Sequence, residues 1–375
     1  MTAALPPIPD LAHLPPMAVA ARVERLRAGL DAAGCDALLV TKLVNLRYLT
    51  GFTGSAALLV VTPAALVFVS DGRYRDQARD QLAAAGIEAH IEISNTEQRE
   101  LVAAAAVAHT RIGVEADHVT WAQQRRYASE WFPQATVVAT EGLVEALRIG
   151  KDDGEVARIE AAALVADHAL ASVRARLGEG VTEAEFALEL DSAIRRFGAS
   201  GNSFETIVGS GPNGAKPHAR PSARRIEPGD LVVIDFGAVV DGYCSDMTRT
   251  VVVGDASPTQ RRMLEVVAAA QQAGVEAVAG GVAVRDVDAA CRRVIGEAGW
   301  AEAFLHATGH GVGLEIHEPP RVGATADATL AAGHVVTVEP GVYLSDLGGV
   351  RIEDTVVVTE QGCRPLTHTA KLTTV

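Results

Sequence analysis

The chain has few cysteines, no long apolar run and no excess of positive charge, and each lack removes a class of function. Its four cysteines, Cys35, Cys244, Cys291 and Cys363, lie far apart and form no CxxC pair. That spacing argues against a zinc knuckle or a disulfide framework and makes a reducing, cytoplasmic setting the expectation. No stretch of about 18 uninterrupted apolar residues occurs, so no transmembrane helix is expected. The opening "MTAALPPIPDLAHLPPM" lacks a basic region followed by an apolar run; it reads as an irregular, proline-rich arm and not as a signal peptide. Lys and Arg number 33 against 47 Asp and Glu, for a formal net charge of −14. Nucleic acid and anionic membranes are therefore poor partners. There is no GxxxxGKS, and no GxGxxG follows a strand in the first half. "GHGVG" at 309–313 has the wrong spacing for a dinucleotide, and Ser210 in "GSGP" is no GxSxG elbow.

What is present is a folded chain. Of its 375 residues 48% are hydrophobic and 21% charged, enough apolar surface for two domains. The first, 1–150, reads as α/β. Apolar residues at helical spacing (Val19, Val23, Leu26, Leu30, Ala33) end at Gly34, and "DALLVT" follows as a buried strand. "AALLVV" and "AALVFV" flank Pro63 as a hairpin. A helix through "YRDQARDQLAAAG" precedes the strands "IEAHIEI", "RIGVEA" and "ATVVAT", with helical segments at 96–108 and 120–131 between them. A charged stretch at 148–154 places the boundary near Lys151. The second domain, 151–375, reads as α+β. A long helical pattern runs from Val156 to Leu177, and a second helix at 182–197 opens on the capping-box pattern "TEAE". Strands, two helices near 258–279 and 284–298, and further strands follow.

The chemistry starts in "VVIDFGAVVDGYCSDMTRTVVV", residues 232–253, where Asp235 and Asp246 sit among core-forming residues of two strands. A turn centred on Val240–Asp241 puts them directly opposite; a turn on Asp241–Gly242 makes them diagonal neighbours. Like charges facing across strands destabilise them, and burial raises the cost. "VVTVEPGVYLSDLGGVRIEDTVVV" repeats the design: Glu339 ends one strand, a glycine-rich turn follows, and Glu353 falls inside the next. Between the two hairpins lies "HATGHGVGLEIHEPP", with His310 among small residues. Four acids and one imidazole suit hard or borderline divalent cations. Four carboxylates exceed what one tetrahedral structural zinc takes, and match a two-metal hydrolase site.

In the order Asp235, Asp246, His310, Glu339, Glu353 the chain resembles the pita-bread metallopeptidases, and specifically their Xaa-Pro branch of aminopeptidase P and prolidase. "DFGAVVDGYCSDMTRT", "GHGVGLEIHE", "TVEPGVY" and "GGVRIEDT" carry the likeness. "NLRYLTGFTGS" and "SDGRY" resemble the creatinase-type N-terminal domain of that branch. The resemblance implies that the five residues are dinuclear metal ligands. Manganese is favoured by the carboxylate-rich set, with cobalt or zinc as substitutes. It implies substrate roles for His218 in "KPHARPS", for His317 in "EIHEPP" and for His306. Arg351 either neutralises an acidic neighbour or touches substrate. His118, His168 and His334 read as ordinary histidines, and Asn45, Tyr48 and Phe52 as packing residues.

The implied activity is hydrolysis of the Xaa-Pro bond at the N-terminus of short peptides by a metal-bridging hydroxide. Glu339 relays the proton, and His317 and His218 stabilise the intermediate or orient the proline side. The resemblance further implies a homodimer in which the partner's first domain walls off the site. Two other readings share the fold: a creatinase-like C–N hydrolase, and a non-catalytic binding protein. Retention of all five ligand positions opposes both. Aminopeptidase and dipeptidase stay open, with "GFTGS" and "DGRY" leaning to a small aminopeptidase P.

Overall fold

The computed structural model describes residues 4–345 and 347–375. They form two units: Ala18–Arg148, and Ile149–Val375 joined by the described part of Met1–Met17. The sequence reading placed the proline-rich arm with the first domain; in the structure it clusters with the second unit. The reason is apolar. Ile8, Leu11 and Leu14 pack on the core of that unit, His168 Nε2 donates to the Pro6 carbonyl at 2.8 Å, and Arg158 Nη1 donates to that of Pro15 at 2.7 Å.

The Ala18–Arg148 unit is a six-stranded sheet flanked by helices. In order across the sheet the strands are His90–Ile93, Leu66–Ser70, Ala57–Val61, Ala37–Val40, Arg111–Glu115 and Thr136–Thr140. Only Ala57–Val61 runs against its neighbours. "ALLV" is buried throughout, as a continuous apolar strand with neighbours on both sides must be. Two helices have no counterpart in the sequence reading, the single turn Glu145–Arg148 and a longer one. "LVNLRYLT" forms the helix Leu43–Thr50, ended by Gly51 in the left-handed region at φ 74°. It forms because Leu46, Tyr48 and Leu49 bury fully. Asn45 donates to Glu115 at 2.8 Å and accepts from Arg148 at 2.7 Å. Asn45, Tyr48 and Phe52 thus pack, as expected.

In the larger unit the helices Asp153–Val173 and Glu183–Arg196 cover one hairpin, and Pro258–Ala277 and Val284–Glu297 cover another. The Thr182–Glu185 capping box opens the second of these helices as its sequence predicts. The first helix carries a further box, Asp152–Glu155, and passes into a 3₁₀ turn at Arg174–Glu179.

Both hairpins break in the middle. In the first, Leu231–Phe236 pairs with Met247–Val252, and Ala238–Val240 with Tyr243–Cys244. The turn is Asp241–Gly242, with φ of 43° and 75°, the two positive values of a type I′ turn. Asp235 therefore faces Thr248, and Asp246 is its diagonal neighbour, which decides between the two registers left open. In the second, Val335–Val338 pairs with Asp354–Thr359, and Gly341–Leu344 with Gly348–Arg351. Val338 faces Asp354 and Gly341 faces Arg351, so the register is unbroken and sets Glu339 opposite Glu353. Glu353 was expected inside a strand; it lies in the break between two. A third hairpin, Gly309–Gly311 with Glu318–Val322, carries His310 on its inner strand, where Gly311 also meets Val336.

Candidate metal centre

Asp246, expected within a strand, lies with Glu339 and Glu353 in the two breaks, while Asp235 stays in the ladder opposite Thr248; all four carboxylates line one cavity of about 680 Å³. Asp235, Asp246, His310, Glu339, Glu353, His218, His306, His317 and Arg351 all line it. One candidate ligand atom each from Asp246, His310 and Glu353 falls within 4.8 Å of the others. His310 Nε2 is 3.5 Å from Asp246 Oδ2 and 3.6 Å from Glu339 Oε1.

The protonation of His310 follows from its other nitrogen. Nδ1 lies 3.0 Å from the Gly311 carbonyl, which can only accept, so Nδ1 carries the proton. Burial pushes the imidazole pKa down to about 4, so the ring is neutral and Nε2 presents a lone pair to two carboxylates. A ligating histidine is oriented in this way, with its second N–H on a carbonyl.

The acids show the same imbalance. Burial, and then the charges of Glu353, Asp235 and Glu339, push Asp246 well above the usual carboxylate range. Burial, and then Glu339 and Asp235, do the same to Glu353; burial takes Glu339 up to about 8. Asp235 Oδ1 and Glu353 Oε1 are buried with no hydrogen-bond partner. Buried carboxyl oxygens without a partner are costly, and bound cations would satisfy them. Oxygen donors with a single imidazole fit divalent cations.

Around the acids, other side chains fix their positions. Thr248 Oγ1 donates to Glu353 Oε2 at 2.7 Å, and Thr337 Oγ1 to Glu339 Oε1 at 3.4 Å. Arg351 donates from Nη2 to Asp235 Oδ2 at 2.6 Å, pairing with an acidic neighbour while lining the cavity. It also donates to Thr248 Oγ1, the Pro217 carbonyl and the Tyr343 hydroxyl, at 3.0, 3.1 and 2.9 Å.

The three histidines expected near substrate differ. The His317 ring stacks edge-on to His310 at 4.4 Å between centroids. His218 is exposed to the cavity and follows the carbonyl that Arg351 holds. His306 has both nitrogens engaged, Nδ1 with the Ala307 carbonyl and Nε2 with the Tyr343 hydroxyl, each at 2.8 Å. Sequence reasoning missed Tyr343 and Thr248. Both stand in the quoted motifs, but neither carries a charge that would have singled it out. His168 bonds to Pro6, His334 Nδ1 accepts from the Ala331 N–H at 3.3 Å, and His118 is exposed.

Known proteins resemble both units in sequence and architecture. Metallopeptidase family M24 matches residues 157–360, and the Creatinase/Prolidase N-terminal domain matches residues 22–149. A solved Xaa-Pro dipeptidase from Bacillus anthracis superposes with a TM-score of 0.91 at 38% identity, over 94% of this chain and 99% of the other. An X-Pro aminopeptidase from Thermotoga maritima MSB8 gives 0.87 at 32% identity, over 94% and 100%. The Xaa-Pro dipeptidase of Pyrococcus furiosus is 35% identical over 93% of this chain and 98% of its own. Among the described residues, no helix is long and apolar enough to cross a membrane.

Proposed function

The chain belongs to metallopeptidase family M24, with a creatinase/prolidase N-terminal domain and a pita-bread catalytic domain, and from that we propose that this hydrolytic peptidase removes the first residue of short peptides whose second residue is proline. The observation that carries the metal part of the reading is the pair of orphaned oxygens, Asp235 Oδ1 and Glu353 Oε1, on residues that line one cavity with His310. Asp235, Asp246, His310, Glu339 and Glu353 would hold two divalent cations, manganese by preference of the donor set and cobalt or zinc as substitutes. Such a pair, when bound, supplies an activated water near neutral pH and polarises the scissile carbonyl.

The chain's own groups do the rest. Glu339 takes the proton of the attacking water and returns it to the departing nitrogen. That nitrogen belongs to a tertiary amide with no N–H, so the site has no donor to recognise there. Phe204, Ile207 and Pro217 give the cavity an apolar wall suited to a proline ring. His317 and His218 face the same space and donate to the oxyanion or orient the proline side. Arg351 holds Asp235 and the Pro217 carbonyl in place. His306 has no ring nitrogen to spare, so its contact with substrate is through the ring edge.

The reading places the enzyme in the cytoplasm as a homodimer with a domain boundary near 150, the N-terminal arm belonging with the second domain; none of its four cysteines forms a disulfide, which fits a reducing compartment. The names of similar proteins divide between dipeptidase and aminopeptidase. One assay addresses both questions: manganese-loaded enzyme on Ala-Pro, Ala-Pro-Ala and Ala-Ala. Cleavage of a proline substrate far faster than Ala-Ala is expected. Equal rates on Ala-Pro and Ala-Ala would overturn the specificity. The ratio of Ala-Pro to Ala-Pro-Ala assigns the enzyme to one class or the other.

A further inference from the structure

The Lys151–Glu318 ion pair is buried almost completely. Lys151 Nζ lies 3.0 Å from Glu318 Oε2, and the two side chains are 1% and 2% exposed. Removing two charges from water is expensive, and well-packed apolar residues can often replace such a pair without loss of stability. Its position shows what else it does. Glu318 is the residue after His317 and opens the outer strand of the hairpin whose inner strand carries His310, with Gly311 facing Glu318. The carboxylate folds back under the tip of that hairpin. Its Oε1 accepts the Glu315 N–H at 3.1 Å. It also fills the space beside Gly313, where a Cβ would stand 2.5 Å from Oε2. The Gly313 carbonyl in turn accepts the Cys244 N–H at 2.8 Å, two residues before Asp246. Lys151, anchored through its own N–H to the Gly333 carbonyl at 2.9 Å, holds this carboxylate from below.

We propose that the Lys151–Glu318 pair is a positioning device that fixes the hairpin tip and so sets His317 against His310 and the metal-binding acids. The inference rests on the peptidase reading above, in which His317 acts on the substrate. Lys151 and Glu318 touch no reacting atom; they act through His317.

The test uses full-length, manganese-loaded enzyme. In the double variant Lys151→Met with Glu318→Gln, both charges go and the volumes stay close, so folding is retained. Expected are an unchanged manganese stoichiometry and a kcat on Ala-Pro at least tenfold lower at nearly constant KM. Because the effect passes through His317, the same double change in a His317→Gln background should cost less than threefold. Wild-type kcat in the double variant would overturn the proposal. So would a loss of activity in proportion to lost manganese or lost folded protein, or a full additional loss in the His317→Gln background. If wild-type enzyme itself ignores proline substrates, the functional reading has failed instead, and the manganese stoichiometry and melting temperature of the variants show whether the pair only supports the fold.

Discussion

Arg351 ties four features of the site to one side chain: Asp235, the Thr248 that holds Glu353, the carbonyl before His218, and the Tyr343 that holds His306. A guanidinium does this because its donors fan out in a rigid plane, which a lysine ammonium cannot imitate. Arg351→Lys should therefore lose about a hundredfold or more in kcat/KM while the protein stays folded, with reduced manganese retention as Asp235 loses its anchor. Steady-state kinetics with metal analysis checks this, and near-normal turnover would show that the fork is dispensable. Tyr343→Phe is the milder companion. It leaves Arg351 Nη1 and His306 Nε2 each short of a partner, a cost of about 1–3 kcal/mol. If that cost falls on the transition state, kcat drops about ten- to a hundredfold with metal content unchanged. The acids were legible in the sequence because charge among apolar strand residues is anomalous, and His310 because it falls among small residues between the two acid-bearing hairpins. Tyr343 and Lys151 were not. A tyrosine at a strand end, or a lysine in a charged linker, looks ordinary until its buried partner is known.

At the scale of the elements, breaks in the hairpins build the site. Where a strand leaves its ladder its side chains can turn to a common centre, and glycine permits this by letting backbones close in. Gly237 stands between Asp235 and Asp246, and a Cβ there would lie 1.9 Å from the Ser245 carbonyl and 2.1 Å from Ser203 Oγ. Gly237→Ala must push the two strands apart where the aspartates converge. It should cost about 1–3 kcal/mol and reduce manganese stoichiometry and activity together. Gly178→Ala, with nothing within 4 Å of its Cβ, is the control and should stay within about 0.5 kcal/mol of wild type. Melting curves and metal analysis of the two proteins compare them; full metal content in Gly237→Ala would remove the role given to the close approach. The helices with clear periodicity and caps, such as Glu183–Arg196, could be read from sequence. Leu43–Thr50 could not, since its burial depends on neighbours distant in the chain: Tyr48 donates to the Leu147 carbonyl and Asn45 to Glu115. The first hairpin's register was open by one turn residue, and positive φ at both Asp241 and Gly242 closes it. The Glu339–Glu353 pairing was hidden because it depends on a register carried across a break.

For the whole molecule the consequence is a stability whose pH dependence changes sign with metal. Without metal, burial takes Glu339 up to about 8, and burial with neighbouring charges raises Asp246 and Glu353 well above the usual range. A raised folded-state pKa means the folded protein holds protons that the unfolded chain, with carboxylates near about 4, releases. Its contribution is present in full below the unfolded value and is lost as pH rises through the folded one. Metal-stripped protein should thus lose stability from about pH 5 toward 8. Cations reverse this, since they bind the ionised carboxylates and hold their pKa values down. Because the unfolded chain lacks the assembled cage, binding adds stability by mass action, about 4 kcal/mol at a thousandfold excess over Kd. Protons compete for the same oxygens, so this gain fades as pH falls. The two stability curves should lie close together in acid and separate steadily toward pH 8. Thermal melts of chelator-treated protein with and without manganese, from about pH 4.5 to 8, give both curves. A manganese shift equal at both ends, or absent throughout, would mean that the four acids do not form a cation cage. Their burial beside His310 would then require a different compensating charge.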